Sequence, residues 1–380
     1  MKRTIKMIYT GEKIKGQGVL SATKEQINLI ETKADEHFNV LVNKRGKHDI
    51  LHLHTVNPKS YFGAKYSKKP VVTHVHFLPD TLEGSIKLPR LFMGMFKKYV
   101  LSIYRNSDHI VVVNPSFIEE LVKFNIKEER ITYIPNFVNE KVFYKYDKAR
   151  RNEVRKEFNV KEDEFVVVGV GQVQQRKGVV DFVETAKRLP HVRFIWAGGF
   201  SFGKITDGYK ELKEIMDNPP KNVEFVGILD REKMTDFYNM SDLLFMPSFN
   251  ELFPMAILES CSCENPIFVR DLKLFEPVLL DGYYRASDVD GFVETIDKLS
   301  KDKDYYNIAV RHALSVKEFY SRENVKNLWI DYYNGLSLIR RKKQAKIDKK
   351  NAKKQAKIDK KNARKKGESL WINLQRKLIY

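Results

Sequence analysis

The sequence has little cysteine and no long apolar run. Only Cys261 and Cys263 occur among 380 residues, which excludes a disulfide framework and favours a reducing cytosol. No stretch reaches the roughly 18 apolar residues that a membrane-spanning helix needs. The charged start MKRTIKMIYTG also lacks the apolar core of a signal peptide. We therefore expect a protein without a leader, and any contact with a membrane is expected to be peripheral.

Acidic residues are scarce near the C-terminus, and this sets the charge of the whole chain. The formal net charge is +19, from 68 Lys and Arg against 49 Asp and Glu. Residues 340–366 hold 15 basic and two acidic residues and residues 367–380 add +1, so residues 1–339 carry only +5. A weakly basic body with a strongly basic tail argues against nucleic-acid binding by the whole chain.

The distribution of apolar residues predicts the fold class. A hydrophobic fraction of 42% supports packed cores, and a body of about 340 residues exceeds what one core usually serves. Short β-rich runs alternate with helical patterns in two series, which predicts βαβ units and parallel sheets. We predict an α/β protein with two Rossmann-like doubly wound domains facing a cleft. The predicted strands are 5–9, 49–54, 70–77, 109–113, 132–134, 165–170, 193–197, 223–226, 243–246 and 266–269.

Four segments are predicted along the chain. Residues 1–143 and 144–320 form the two Rossmann-like domains, a helix over 321–339 packs back on the first of them, and 340–380 is a basic tail. The tail repeats KKQAKIDKKNA at 342–352 and 353–363, and eleven residues complete about three helical turns. The repeat fits either a solvated spacer or a segment that binds an anionic surface, and the last residues, LWINLQRKLIY, form an amphipathic helix pattern.

Glycines follow the first predicted strand. Gly16 and Gly18 precede a helical pattern, and glycines at such a place let backbone amides approach a phosphate. A plain tight turn explains them equally well. The third glycine of a dinucleotide fingerprint is absent, and no acidic residue ends the second strand. These absences disfavour an enzyme that uses a nicotinamide cofactor.

Histidines end the third predicted strand. In Thr73-His74-Val75-His76, the alternation of a strand puts His74 and His76 on the same face. A pair of histidines is able to ligate a metal, but no Cys, Asp or Glu cluster in the sequence completes the set. We therefore predict no metal site.

The second half of the chain carries two polar motifs after strands. Two adjacent cations, Arg176 and Lys177, precede a helix in GVGQVQQRKG, an arrangement that holds a diphosphate without a metal. A plain charged loop is the alternative. In PSFNELFPMAILES, Glu251 follows a buried strand and Glu259 lies in the next helix. Buried acids need polar partners, and the hydroxyls of a sugar and a ribose are suitable ones.

Taken in order, these motifs resemble the retaining glycosyltransferases of family 4, which have the GT-B fold. The resemblance runs over residues 1–335 and includes T-x-x-H ending at His76, DHIVVV at 108–113, IPN at 134–136 and the E-x7-E motif of Glu251 and Glu259. Within the family, VTHVHFLPDT and FIWAGGFSFGKITDGY look most like bacterial diglycosyl-diacylglycerol synthases. The resemblance implies transfer of a hexose from a UDP-sugar to a membrane glycolipid such as monoglucosyl-diacylglycerol.

The resemblance also implies roles for individual residues. It makes the first domain the acceptor and membrane domain and the second the nucleotide-sugar domain. The implied catalytic residues are His76, Lys177 and Glu251. The implied donor-binding residues are Gly16, Gly18, Gln172, Arg176, Lys177, Gly227, Ile228, Glu251, Leu252, Phe253 and Glu259. Two positions depart from the family pattern, because Gln172 replaces an arginine and Pro254 a glycine; neighbouring Arg176 is expected to supply the missing charge.

A stretch without acids, between Glu83 and Asp108, interleaves basic and large apolar residues. That composition is typical of a helix at a membrane interface, although a packed helix with a solvated basic edge has it as well. Each lysine near anionic lipid contributes about 1 kcal/mol, so the tail would hold the protein at the cytoplasmic face of the cell membrane. The predicted membrane-binding residues are Lys87, Arg90, Phe92, Phe96, Lys97, Lys98, Arg105 and Trp371.

The expected partners are a UDP-hexose, a glycolipid acceptor and an anionic phospholipid surface. No tightly bound cofactor is expected, and stimulation by Mg²⁺ is left open. UDP-glucose is favoured as donor and UDP-galactose stays open, because an epimeric hydroxyl is distinguished by side-chain geometry. One alternative is a family 4 enzyme that acts on a cell-wall polymer or a soluble glycan, which shares every donor motif. Another is a nucleic-acid-binding protein that uses the basic tail, although the body has no known recognition module.

Overall fold

Two parallel six-stranded sheets form the frame of the protein. The computed structural model describes residues 2–10, 18–76, 78, 90–200, 203, 206, 208–251, 255–340, 344, 349–350, 352–355 and 357–359. The strands are β1 Arg3–Ile8, β2 Phe38–Val42, β3 Ile50–Leu53, β4 Val71–Val75, β5 His109–Val112, β6 Ile131–Tyr133, β7 Val166–Val170, β8 Arg193–Ala197, β9 Val223–Gly227, β10 Leu243–Met246, β11 Ile267–Arg270 and β12 Tyr284–Ala286.

Twelve helices connect these strands or follow them in the described part of the chain. They are α1 Gly18–Lys33, α2 Pro58–Tyr66, α3 Arg90–Asn106, α4 Ser116–Lys123, α5 Lys148–Glu157, α6 Val179–Arg188, α7 Tyr209–Asp217, α8 Arg231–Met240, α9 Met255–Ser262, α10 Val289–Lys301, α11 Lys303–Phe319 and α12 Arg322–Gly335. Several begin with a side-chain cap, such as Asp147 accepting from the Arg150 amide before α5 (2.8 Å).

The strand order confirms the predicted α/β fold. The first sheet runs β2-β1-β3-β4-β5-β6 and the second β12-β11-β10-β7-β8-β9, with parallel pairing in both. All ten predicted strands are present. The prediction missed β2 and β12, which both lie at the edge of a sheet. An edge strand is covered on fewer sides, so its sequence shows a weaker apolar pattern.

Each sheet is buried on both faces, as the apolar composition of its strands requires. In the first sheet, Ile5 and Met7 lie in one core with residues of α1 and α12. Leu53 and Val75 lie in a second core with residues of α2, α3 and α4. Trp329 of α12 is 1% exposed within the first of these cores, so the last long helix packs on the N-terminal sheet.

Helix α3 is buried along only part of its length. Val100 and Tyr104 are buried in the N-terminal domain, whereas Phe92 and Met95 are each 61% exposed. The exposed residues lie toward the start of the helix, beside exposed Lys98. Among the residues that the structure describes, no helix combines the length and apolar character needed to cross a bilayer.

Arg340 belongs to the folded body, although its sequence places it in the basic tail. Its side chain is 6% exposed and donates from Nε to Asp108 Oδ2 at 2.9 Å. Its two other nitrogens donate to the backbone carbonyls of Ser67, Ala64 and Asn106. The exposed helical residues described beyond it, 352–355 and 357–359, carry the repeat.

Helix α1 joins the two halves of the protein. Its Leu29 and Ile30 are buried in the core of the first sheet, while Ala22 lies in a core with residues of the second. Glu25 forms an ion pair with Arg231, the first residue of α8. A second contact runs from Asn114 Nδ2, after β5, to the carbonyl of Leu274, after β11 (3.1 Å). The loops that follow the strands of the two sheets therefore meet, and this is where ligands bind in doubly wound folds.

Candidate active site

The loop after β7 is shaped by glycines. Gly171 has φ 147° and Gly178 has φ 69°, backbone conformations that L side chains rarely adopt. A Cβ on Gly178 would lie 2.2 Å from the carbonyl oxygen of Pro247, in the loop after β10. The amide of Phe249 donates to the carbonyl of Arg176 at 2.8 Å. The loops after β7 and β10 are thus packed into one unit at the end of the sheet.

This unit brings Lys177 and Glu251 together. Lys177 Nζ lies 2.5 Å from Glu251 Oε1, and the side chains are 11% and 5% exposed. Burial lowers the pKa of Lys177, the Glu251 carboxylate raises it, and the Arg176 guanidinium lowers it further. The pair is therefore a buried charge pair at the edge of a sheet rather than a solvated contact on the surface.

Arg176 adds a second cation next to this pair. Its Nη1 donates to the carbonyl of Asn250 at 3.2 Å, and its Nε is buried with no hydrogen-bond partner among the described residues. Two cations against one carboxylate leave a net positive charge. Because α6 begins at Val179, directly after Lys177 and Gly178, the helix amides add to this field. An anion such as a diphosphate would be stabilised here.

Gln172 occupies the position where the family pattern has an arginine. Its Oε1 accepts from Gln174 Nε2 at 2.8 Å. The Oε1 of Gln174 is buried without a partner in the described structure. The pair is neutral and offers amide hydrogen bonds instead of a charge. The Arg176 side chain donates to the carbonyl of Asn250, the residue before Glu251, and its charge acts on Lys177.

Glu259 is held by a hydroxyl group. Tyr238 donates to Glu259 Oε2 at 2.8 Å. Burial raises the pKa of Glu259, and the nearby Glu25 carboxylate raises it further. The hydrogen bond from Tyr238 and the Arg231 cation oppose this rise. Glu259 of the second domain and Glu25 of the first therefore both interact with Arg231.

Gly227 and Ile228 end β9 at the same edge of the sheet. Gly227 has φ 74°, and its carbonyl accepts from the Gly198 amide at 2.7 Å. Ile228 is 48% exposed and lies so close to Gly199 that a Cβ there would be 3.2 Å from Ile228 Cγ1. This leaves an exposed apolar side chain beside a stretch of accessible backbone, a surface that suits a planar base.

His76 belongs to the first domain, where it directly follows β4. Its Nε2 is 3.4 Å from Thr23 Oγ1 of α1 and 3.3 Å from His54 Nδ1. Burial lowers the pKa of His76 to about 4, so the ring is neutral at physiological pH. His74 stacks on His76 with ring centroids 4.2 Å apart, as the alternation predicts. The structure adds His52 and His54 of the neighbouring strand to this pair.

The structure brings some of the predicted residues together, and others lie outside the part of the chain that it describes. Lys177, Arg176 and Glu251 form one cluster, and Glu259 is linked to the first domain through Arg231. Gly18 is the first residue of α1 and Arg90 the first of α3. Five of the predicted residues lie outside the described part of the chain: Gly16, Lys87, Leu252, Phe253 and Trp371.

Four residues at this site were missed from the sequence. Thr23 and Glu25 lie on α1, Arg231 begins α8 and Tyr238 lies within it. Their partners are far away along the chain, for example 206 residues between Glu25 and Arg231. No local motif contains both members of such a pair, so only the tertiary packing shows them.

Comparison with known proteins identifies the family. The profile described as Glycosyl transferases group 1 matches residues 150–315, and the one described as Glycosyltransferase Family 4 matches residues 38–142. The chain is 42% identical over 344 residues to the alpha-galactosylglucosyldiacylglycerol synthase of Streptococcus pneumoniae, covering 90% of this chain and 92% of that protein. The chain belongs to the family 4 glycosyltransferases. The glycosyltransferase resemblance drawn from the motifs is thus confirmed, and the protein is a hexosyltransferase.

Further relatives of this glycosyltransferase agree. The processive diacylglycerol alpha-glucosyltransferase of Acholeplasma laidlawii is 25% identical over 264 residues, covering 69% of this chain and 76% of that one. The crystal structure of Anabaena HepE with UDP-glucose has a TM-score of 0.71 at 16% identity and covers 88% of this chain and all of that chain. Sucrose-phosphate synthase from Thermosynechococcus elongatus gives 0.72 at 15% identity, covering 88% and 98%. These structures show that the glycosyltransferase has the predicted GT-B fold.

Proposed function

We propose that this glycosyltransferase moves a hexose from a UDP-sugar, with UDP-glucose favoured, to a membrane glycolipid such as monoglucosyl-diacylglycerol. The product is a diglycosyl-diacylglycerol, with retention at the anomeric carbon. The main structural support for binding of the UDP-sugar donor is the buried pair of Lys177 and Glu251, with Arg176 next to Lys177 in the chain. The 42% identity to a protein named as a galactosylglucosyldiacylglycerol synthase supports the acceptor half.

The donor binds along the edge of the second sheet in this proposal. The diphosphate meets Lys177, Arg176 and the first amides of α6, which together neutralise its charge. Once Lys177 turns to the diphosphate, Glu251 is released to accept hydrogen bonds from sugar hydroxyls. Glu259, held by Tyr238, accepts from the ribose, and the base lies against Gly227 and Ile228. UDP-glucose bound to the structurally similar HepE supports a UDP-sugar donor.

The reaction is a displacement on one face of the sugar. The bond from the anomeric carbon to the diphosphate oxygen breaks, and a new bond to the acceptor oxygen forms on the same face. The acceptor proton passes to the departing diphosphate oxygen. Lys177 and Arg176 stabilise the negative charge that develops there, because they are already positioned and screened from water. His76 is neutral, so it holds the reacting sugar by a hydrogen bond rather than by charge.

The acceptor reaches the site from a membrane surface in this proposal. Phe92 and Met95 of α3 are exposed and enter the interface, while Lys98 and the exposed lysines of the repeat face anionic lipid. Phe96 and Lys97 are half-buried, and Lys97 Nζ lies 4.8 Å from the centre of the Phe124 ring. Exposed Arg105 lies in the last turn of α3 and donates to the carbonyl of Phe124. The protein is then peripheral on the cytoplasmic face.

The proposal divides the chain by task. Residues 1–143 receive the acceptor and the membrane, and residues 144–320 bind the donor. Residues 321–339, with Trp329 buried against the first sheet, close the N-terminal domain. The segment 340–380 adds charge for the lipid surface, except for Arg340 at its start, which is buried.

The direct test supplies both substrates. The full chain is incubated with UDP-glucose or UDP-galactose and monoglucosyl-diacylglycerol in anionic liposomes, and the lipids are separated by chromatography. We expect a diglycosyl lipid with one of the two donors and at least about tenfold less of it with the Lys177→Ala variant. Release of UDP without a new lipid would overturn the acceptor proposal, and transfer to a soluble glycan without liposomes would favour the other acceptor class.

A further inference from the structure

Four histidines form a buried cluster at the end of the first sheet. His52 is on β3, His54 directly follows it, His74 is on β4 and His76 directly follows that strand. The register pairs His52 with Val72 and Leu53 with Thr73. Continued by one residue, it places His54 opposite His74, so both histidine pairs point to the same side and are offset by two residues along the strands. The four side chains are at most 6% exposed. Neighbouring rings have centroids 4.2 to 5.6 Å apart.

Three of these rings carry nitrogens that nothing satisfies. The Nε2 atoms of His52 and His54 and both nitrogens of His74 are buried and have no hydrogen-bond partner in the described structure. Buried polar atoms are nearly always paired, and exceptions call for an explanation. One ligand atom from each of these three residues lies within 4.8 Å of the others. Ligand atoms of the same three residues that carry the unsatisfied nitrogens therefore lie close together in one small region.

We propose that His52, His54 and His74 bind a divalent transition-metal ion of the zinc type. Imidazole nitrogens are the ligands that Zn²⁺ and its neighbours in the series prefer, whereas Mg²⁺ and Ca²⁺ prefer oxygen. Three histidines leave a fourth position for water. The proposal is independent of which sugar and which lipid the enzyme uses.

The second ring nitrogen of two of the three ligands already has a partner. His52 Nδ1 lies 2.6 Å from the Tyr333 hydroxyl, and His54 Nδ1 lies 3.3 Å from His76 Nε2. Such outer contacts fix the orientation of histidines that bind metals. In both residues the other nitrogen, Nε2, is the one left for a metal.

Binding requires only a small rearrangement. Zinc–nitrogen bonds of about 2.0–2.1 Å put the ligand atoms of a tetrahedral site about 3.4 Å apart. One ligand atom from each residue now lies within 4.8 Å of the others, so these atoms need to approach by up to about 1.4 Å. The rings of His52 and His74 are nearly parallel, with an interplanar angle of 15°. They must therefore turn toward a common centre, which the soft terminal torsion of histidine permits.

The metal would also set the proton position on His76. A metal on His54 Nε2 requires the proton of that ring to be on Nδ1, which then donates to His76 Nε2. His76 consequently carries its own proton on Nδ1. The ion would thus act as a positioning element below the acceptor side of the cleft and would join β3 to β4, without contacting a substrate itself.

The test uses the full chain without a histidine affinity tag, stripped of metal with a chelator and titrated with Co²⁺. We expect one equivalent to bind, with the visible absorption of a four-coordinate site and no thiolate charge-transfer band. The absence of a thiolate charge-transfer band would show that neither Cys261 nor Cys263 is a ligand of the metal. Zn²⁺ should displace the cobalt. No binding, or a spectrum with thiolate ligands, would overturn the proposal.

Matched variants locate the site. Replacing one of the three ligands (His52→Gln, His54→Gln and His74→Gln, each made alone) should weaken metal binding by at least about tenfold. His37→Gln, at an exposed position before β2, should bind as the wild type does. Equal affinity in all four variants sinks the assignment. If the three ligand variants fail to fold by circular dichroism, X-ray absorption of the zinc-loaded wild type decides, because it counts imidazole ligands: three or four support the site and fewer overturn it.

Discussion

Arg340 Nε lies 2.9 Å from Asp108 Oδ2, and the two side chains are 7% and 2% exposed. These residues are 232 positions apart in the chain. Asp108 also accepts from the Val71 amide at 2.9 Å, so its carboxylate joins the start of β4 to the segment that follows α12. The contact attaches the end of the folded body to the sheet that carries His76, and the exposed part of the basic tail begins beyond it.

We expect Arg340→Ala to lower the free energy of unfolding by about 3–5 kcal/mol, because it leaves the Asp108 carboxylate buried without its cation. The measurement is unfolding in urea. Arg285→Ala is the matched control, since Arg285 is 43% exposed and pairs with exposed Asp271 and Glu276; its loss should stay below about 1 kcal/mol. Equal losses in the two variants would show that the buried pair contributes no more to the free energy of unfolding than the exposed pairs of Arg285 do.

Lys177→Ala and Glu251→Ala should each lower turnover by at least about tenfold. The first removes a cation from the leaving diphosphate, and the second removes the partner that holds Lys177 and later the sugar. Turnover is measured with UDP-sugar and glycolipid, and circular dichroism checks the fold. Lys187→Ala changes an exposed lysine of α6 (52% exposed) and should retain activity. Unchanged rates in both site variants would remove Lys177 and Glu251 from the donor site.

Activity should fall at alkaline pH as Lys177 loses its proton. Burial lowers the pKa of Lys177 and Arg176 lowers it further, while Glu251 opposes them, so the net shift is downward. A lowered pKa means that the cation is lost at a lower pH than for an exposed lysine. The pH profile of kcat/KM tests this, and Lys177→Arg should move the alkaline fall to higher pH. An identical alkaline limb in the arginine variant would assign that limb to another group.

Arg231→Ala should raise the KM for the UDP-sugar by about fivefold, equivalent to about 1 kcal/mol. Burial and Glu25 raise the pKa of Glu259, and the Arg231 cation opposes that rise. The variant removes this cation and also removes the ion pair between the domains. Arg231→Lys should recover much of the affinity. Arg188→Ala removes an exposed ion pair with Asp290 and serves as the control. A fall in kcat with unchanged KM would contradict a role in donor binding.

Phe92→Ser combined with Met95→Ser should weaken binding to anionic liposomes by at least about tenfold, because each large apolar side chain contributes about 1.5–3 kcal/mol when it leaves water. Co-sedimentation measures this. Phe319→Ser, at a 48% exposed position that ends α11, is the control and should bind normally. The double variant should keep most of its turnover on acceptor dispersed in detergent. Loss of turnover in detergent together with unchanged liposome binding would place these residues in the acceptor site instead.

Sequence pattern was sufficient for ten of the twelve strands that the structure describes, and for the polar motifs that follow β7 and β10. Buried parallel strands are short apolar runs, and the positions after them are where chemistry collects. Lys177 and Glu251 could therefore be named in advance although they are 74 residues apart. Each is in a motif of its own, and both motifs end at the same edge of one sheet.

Other features could not be read from the sequence. Arg340 looks like every other basic residue of its run, and only the position of Asp108 distinguishes it. His74 and His76 were recognised as a pair, but their meeting with His52 and His54 depends on the pairing of β3 with β4. Register and domain packing are long-range properties, so a local pattern does not contain them.

Helix α1 is a single stiff rod of about 24 Å, from its 16 residues and a rise of about 1.5 Å per residue. Within two residues of each other it carries Thr23, which lies beside His76, and Glu25, which holds Arg231. One helix therefore borders both of the walls that we assign to acceptor and donor. We expect that a displacement of Arg231 on donor binding would shift the same helix that lies beside His76, which would couple the two substrate pockets through the backbone of α1.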